Sequence, residues 1–165
     1  DIEAQENLLH VNMVALTSLT HLFANDMASR TGGHILNISS TAAWFSLPNQ
    51  SIYAASKAYV LSFTQALSNE MEAANTNIKV TALCPSYTDT KMLDNPDQGG
   101  KLSIPKSMIL SPEFVANQGI NSCLNGKSAC IPGLMSVITM QLVQMMPKTW
   151  ITKIMGKVYR SRMTE

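Results

Sequence analysis

From residue 2 to residue 30 the apolar positions Ile2, Leu8, Leu9, Val11, Val14, Ala15, Leu19, Leu22, Phe23 and Met27 recur mostly at intervals of three and four. That period predicts a long amphipathic helix. Thr31-Gly32-Gly33 stops it, since glycine adopts the left-handed conformation in which helices end. The pattern then changes. From His34 to Ser39 the apolar Ile35, Leu36 and Ile38 are nearly continuous, as an interior strand of a parallel sheet requires. Residues 40–50 read as loop. A second long helix is predicted from Ser51 to about Ala74, closed by the polar turn Asn75-Thr76-Asn77, and Ile78 to Leu83 is the next strand. Strand, helix and strand of these lengths form a right-handed crossover unit whose strand carboxyl ends share one edge of the sheet. Ser40 and the Cys84-Pro85 corner fall on that edge, where open α/β sheets bind ligands.

Residues 85–110 lack a clear period and read as a mobile loop. Ser111-Pro112-Glu113 then starts a helix to about Leu124, with Ser111 as N-cap and Pro112 at the first helical position. Ser128 to Ile131 is a short last strand ended by Pro132-Gly133. The Met-rich remainder is read as two helices broken at Pro147. Its apolar run from Leu134 to Met146 is interrupted by Gln141 and Gln144 and is too short to span a bilayer. The fold class is therefore α/β with a parallel sheet, one domain over 1–165, in which 1–133 forms the sheet and its helices and 134–165 a helical tail.

Composition narrows the partners. The 165 residues carry a net charge of +1, which supplies no field for nucleic acid. Residues 1–82 hold three Lys/Arg and six Asp/Glu and the remainder nine and five, so the basic excess is C-terminal. Cys84, Cys123 and Cys130 are odd in number and lack C-x-x-C spacing, and no secretory leader opens the chain. A reducing, cytoplasmic setting with the cysteines as small apolar fillers is expected. Asn37-Ile-Ser39 and Asn49-Gln-Ser51 match the glycosylation pattern by accident, the first lying inside a predicted strand. His10, His21 and His34 have no metal-ligand spacing with one another or with the cysteines, and no metal is expected. The chain opens without an initiator methionine, inside a helical pattern, and is read as a fragment.

The chemistry gathers between Ile38 and Val60, I-S-S-T-A-A-W-F-S-L-P-N-Q-S-I-Y-A-A-S-K-A-Y-V. Tyr53 and Lys57 are four residues apart, so a helix places them on one face, one turn apart. A neighbouring ammonium favours the phenolate and is expected to lower the tyrosine pKa toward neutrality, where a phenol can act as an acid and base. Alone, Y-x-x-x-K is two letters and describes many exposed helical pairs. Its company is more specific: Ser40 stands thirteen residues before Tyr53 at the end of an apolar strand, and small residues Ala54, Ala55, Ser56 and Ala58 flank the pair.

Together these residues resemble the active-site segment of the short-chain dehydrogenase/reductase family. The resemblance implies the later part of a doubly wound, Rossmann-type sheet. It makes Tyr53 the proton donor to a carbonyl oxygen and the base in reverse, and it makes Lys57 the group that tunes Tyr53 and hydrogen-bonds the nicotinamide ribose. Ser40 steadies the substrate oxygen. Asn12, in H-V-N-M-V-A, matches the asparagine that holds a water in the proton relay to lysine. Pro85, Ser86 and Thr90 resemble the P-G-x-x-x-T corner that holds the nicotinamide carboxamide, with Ser86 in place of glycine. Were that position to need positive φ, Ser86 would be strained.

The Gly-rich turn that holds the dinucleotide phosphates has no counterpart here, since neither G-x-G nor T-G-x-x-x-G occurs. The fragment alone is therefore expected to be inactive. The tail, with Ile131-Pro132-Gly133 and Met146-Pro147, looks like the bacterial and steroid-dehydrogenase-like branch. That likeness implies NADP, with NAD as the alternative, and an apolar lipid, acyl or steroid-like carbonyl or alcohol as small-molecule substrate. A homodimer through helices 5–28 and 55–74 is implied by the family. It fits apolar residues on more than one face, Leu16 with Phe23 and Leu61 with Met71. The tail is expected to pack over the substrate cleft, a peripheral membrane contact through 148–162 being the alternative. The rival to an enzyme is a non-catalytic interaction module of the same fold.

Overall fold

Asp1 opens the first helix by accepting a hydrogen bond from the Glu3 amide at 3.1 Å, satisfying one of the donors a helix start leaves bare. The computed structural model describes residues 1–93 and 105–162, and of 159, 161 and 162 the backbone alone. The loop expected over 85–110 thus falls partly, at 94–104, outside the described residues. So does the Tyr159 side chain of the tail.

Helices α1 (Ile2–Leu9) and α2 (Leu16–Ala28) run on from one another through a wide, π-helical stretch at His10–Ala15. The predicted helix is therefore continuous, but not uniformly α. Gly32, at φ +98°, makes the turn out of α2. Strand β1 (Gly33–Ile38) follows, then a 3-10 turn at Thr41–Trp44 where only loop was expected. Helix α3 (Ser51–Ala73) leads to β2 (Ile78–Leu83). Ser111 caps α4 (Pro112–Leu124) by accepting from the Phe114 amide at 3.2 Å. Strand β3 (Ala129–Cys130) precedes α5 (Leu134–Met145) and α6 (Lys148–Arg162).

The three strands lie in the order β1-β2-β3, all parallel. Gly33 pairs with Ile78 and Ile38 with Leu83, while Leu83 also pairs with Cys130. Strand side chains alternate between faces, so Ile35, Ile78 and Val80 face α2 and α3, meeting Ala24, Met27, Leu67 and Met71. Leu36 and Leu83 face the other way, onto Val115 of α4. Gly119 permits that approach: a Cβ there would lie 2.7 Å from the Leu83 Cδ2 atom. The far edge of β1 has no partner strand among the described residues, and Ile38 at its end is 48% exposed.

The two helices on the first face are held to the sheet and to each other by polar contacts as well. Buried Asn37 of β1 accepts from the Thr20 hydroxyl at 3.3 Å and donates its amide to Thr64 Oγ1 at 3.1 Å, joining α2, β1 and α3. This amide cannot receive a glycan in the folded chain, in line with reading Asn37-Ile-Ser39 as accidental. Thr17 and Tyr59 share a hydrogen bond of 2.7 Å, and Tyr59 stacks on Phe63 with ring centroids 5.8 Å apart.

One sequence argument is corrected. Leu61 and Met71 of α3 are not spare apolar residues, because Leu61 is buried against Ala82 and Cys84 and Met71 packs on the β2 core. The surplus lies instead on α2 and the π-helical stretch before it, where Leu19, Leu22 and Phe23, and Val11, are exposed.

Replacing Asn37 with alanine would leave the Thr20 and Thr64 hydroxyls without their buried partner. A loss of about 1–3 kcal/mol is expected, read as a lower urea midpoint, whereas the neighbouring exposed His34→Ala should leave the midpoint nearly unchanged.

Candidate active site

The site lies at the carboxyl ends of β1 and β2, where the crossover topology brings Ser39-Ser40 and Cys84-Pro85 side by side. Two hydrogen bonds to the Pro85 carbonyl join them, from the Thr41 amide at 3.0 Å and from its hydroxyl at 3.3 Å. Ser40 is the N-cap of the 3-10 turn. Its hydroxyl oxygen accepts from the Ala42 amide at 3.1 Å, which leaves the hydroxyl proton free to point elsewhere.

Helix α3 crosses this edge with Tyr53 and Lys57 one turn apart. The Lys57 ammonium donates to the Ile38 carbonyl at 3.1 Å and sits 5.8 Å from the centre of the Tyr53 ring, within reach of a cation–π attraction. In return Ser39, buried at the end of β1, donates its hydroxyl to the Lys57 backbone carbonyl at 2.8 Å. The strand end and the helix thus clasp each other from both sides.

Electrostatics here run against one expectation. The Tyr53 pKa is raised, not lowered: burial raises it, and the smaller effect of its hydrogen bond with Ser40 lowers it. Burial also pushes the Lys57 pKa down, with the neighbouring Cys84 thiol opposing. The physical reason is that both groups are withdrawn from water, which disfavours each charged form, while the ammonium is spent on the Ile38 carbonyl and the ring face. Burial pushes the Cys84 thiol up to about 12. Cys84, Cys123 and Cys130 are all buried and free, and their thiols donate weakly to the carbonyls of Ala82, Ile35 and Gln118.

A cleft of about 1190 Å³ opens above these residues. Ser40, Tyr53, Lys57, Pro85, Ser86 and Thr90 all line it, and Leu8, Met140, Ile151 and Met155 supply apolar walls from α1, α5 and α6. Asn12 does not line it. It sits in the π-helical stretch behind α3 and donates to the Ser56 hydroxyl at 3.1 Å, which itself donates to the Tyr53 carbonyl at 2.8 Å. Ser86 is unstrained as well: the described non-glycine residues with positive φ are Asn49 and Asn75. The corner is stitched by Thr88, whose hydroxyl donates to the Ser86 carbonyl at 3.0 Å and which bridges to Leu110.

Sequence reasoning passed over Ser39, read only as the end of the strand, and Ser56, read as a small flanking residue. Ser56 left a signal, since a serine three residues after Tyr53 on a helix can bond back to its carbonyl. Ser39 left none beyond strand parity.

A family model described as short chain dehydrogenase matches residues 1–99. An uncharacterized oxidoreductase of Staphylococcus saprophyticus is 33% identical over 118 residues, covering 72% of this chain and 50% of the relative. Human estradiol 17-beta-dehydrogenase 11 is 28% identical over 155 residues, covering 93% of this chain and 49% of the relative. The chain thus spans about half the length of these relatives. Among solved structures, a short chain dehydrogenase from Burkholderia cenocepacia in complex with NADP shares the fold, with TM-score 0.72 at 23% identity, covering 88% of this chain and 58% of that one.

The balance at Tyr53 has a testable sign. Its folded pKa lies above the unfolded value, so its contribution to stability is complete below about pH 10 and is lost as pH rises through the folded value. Spectroscopic titration, with Tyr53→Phe subtracted to isolate this phenol among the four tyrosines, should show a midpoint above the ordinary one. Ser40→Ala should move it higher still, because the Ser40 hydrogen bond is what lowers it.

Proposed function

The chain belongs to the short chain dehydrogenase family, and on that premise we propose that it carries the catalytic half of an NADP(H)-dependent oxidoreductase that interconverts a ketone and a secondary alcohol. The observation that carries the proposal is the convergence of Ser40, from the end of β1, with Tyr53 and Lys57, from α3, in one cleft. Tyr53 donates its phenol proton to the substrate carbonyl oxygen in reduction and recovers it in oxidation. Ser40 hydrogen-bonds the same oxygen, its own oxygen being held by the Ala42 amide. A neutral, buried phenol suits the donor's role, since the proton is present to be given.

Lys57, Tyr53, Thr90 and the Pro85-Ser86 corner fit the nicotinamide end of a dinucleotide, offering an ammonium, hydroxyls and backbone groups on one rim. NADP(H) would supply or accept the hydride there, and the same fold in the Burkholderia protein is described in complex with NADP. Asn12, one hydrogen bond behind α3 through Ser56, supports the proton path as a positioning group. The apolar walls given by Leu8, Met140, Ile151 and Met155 suit an apolar substrate of lipid, acyl or steroid-like kind. Helices α5 and α6 close the cleft within a single domain, in a reducing, cytoplasmic setting that keeps the three thiols free.

The assembly proposed is a homodimer through α1, α2 and α3, supported by exposed Leu19, Leu22 and Phe23. By itself the chain has no Gly-rich phosphate turn, so the contacts at the nicotinamide end alone would have to order the whole dinucleotide, a cost they cannot offset. The bare β1 edge also invites association.

Three measurements test this reading. In the full-length protein, Tyr53→Phe should lower turnover by about a hundredfold or more with little loss of NADPH affinity, while Lys57→Met should weaken both. Near-normal turnover in Tyr53→Phe would overturn this mechanism, whereas absence of turnover in the parent protein would point to the rival, a non-catalytic interaction module. Phe23→Lys should shift sedimentation toward monomer. The isolated chain should show no saturable NADPH binding by calorimetry.

A further inference from the structure

Helix α5 is apolar on two sides. Met140 and Val143 line the cleft, yet Leu134, Met135, Ile138, Leu142 and Met145 are all exposed. These five recur along a single outward stripe, with Met135 74%, Leu142 59% and Met145 83% exposed. Helix α6 repeats the arrangement. Ile151 and Met155 face the cleft, while Trp150, at 62%, and Ile154 are exposed one turn apart. Contiguous exposed apolar residues mark an interaction surface, and both helices here lack a covering on these outer sides among the described residues.

Charge says what the covering is. No Asp or Glu occurs from residue 114 to residue 164, a stretch with six Lys/Arg. Lys153 and Lys157 flank Trp150 and Ile154 at helical spacing, and both are exposed. Lys148 opens α6, where no acidic residue stands in the first turn. A second copy docking through this face would set like charges against each other. No helix among the described residues is long and apolar enough to cross a bilayer. An exposed apolar stripe continued by a tryptophan with two lysines beside it is built to lie in the interface, not to span it.

We propose that the outer face of α5 and α6 docks on an anionic phospholipid surface, with the Leu134-to-Met145 stripe and Trp150 seated at the acyl boundary and Lys153 and Lys157 on the headgroups. This goes beyond the reaction proposed above and does not depend on it, because its test reads lipid binding and not turnover.

The full-length protein is incubated with vesicles of phosphatidylcholine alone or mixed with phosphatidylserine and pelleted, the amount pelleting without vesicles being subtracted. Binding should require phosphatidylserine and fall as salt rises. Lys153→Gln with Lys157→Gln, and separately Met135→Glu with Leu142→Glu and Met145→Glu, should each lower partitioning by about tenfold or more. All five positions are exposed, so circular dichroism and melting should match the parent. Brominated lipid should quench Trp150 emission, a signal that Trp150→Phe removes. Absence of vesicle binding at low salt, or binding that neither set of substitutions weakens, overturns the proposal. So does a response of these variants confined to self-association, or to capture by polyglutamate with no binding to vesicles.

Discussion

Two hydrogen bonds run in opposite directions between the end of β1 and the middle of α3. The Lys57 side chain reaches the Ile38 carbonyl, and the Ser39 side chain reaches the Lys57 carbonyl. Everything at the site depends on this clasp, because it fixes the height at which α3 crosses the sheet edge. Ser40 is the next residue after Ser39, and Tyr53 is one turn before Lys57, so locking one pair delivers the other. The 3-10 turn then spends the Ser40 lone pair on Ala42 and leaves its proton for the phenol.

Dehydration is the second constraint. Tyr53, Lys57 and Cys84 are all shifted toward their neutral forms, each with burial as the largest cause. A site that suppresses its own charges keeps a low local dielectric, and in such surroundings a dipole or charge that arrives is felt more strongly than in water. Position and dryness are thus supplied by the same packing: Ala42, Leu47 and Ala54 form a small apolar cluster directly beside Tyr53.

Much of this was legible in the residues, for reasons that can be named. β2 was read with its limits correct because the polar turn Asn75-Thr76-Asn77 precedes it and the Cys84-Pro85 corner follows it. The α4 start was read from Ser111 and Pro112, whose capping chemistry is local. Ser40, Tyr53 and Lys57 were expected to lie together because spacing along strand and helix converts directly into proximity, and all three line one cleft. What was not legible depends on three-dimensional burial. The direction of the Tyr53 shift turns on how much water the fold removes, which a four-residue interval does not encode. Leu61 and Met71 looked spare because the width of the β2 core they fill appears only when the sheet is assembled.

The wide turn at His10–Ala15 left no trace in the apolar period, yet it divides the labour of the first helix. An α-helix rotates about 100° per residue, and closing to the fifth residue instead of the fourth absorbs about one residue of that rotation. Ala4 and Leu8 before it line the cleft, while Thr20 and Ala24 after it are buried on the sheet. The helix therefore works like a shaft with a coupling set at an angle. Deleting one residue from the coupling would turn the first part through roughly a quarter circle, carrying Leu8 away from the cleft wall while the sheet contacts stayed as they are. Changes in length, otherwise ruinous inside a helix, here become a means of reshaping one wall of the cleft while α2 keeps its place on the sheet.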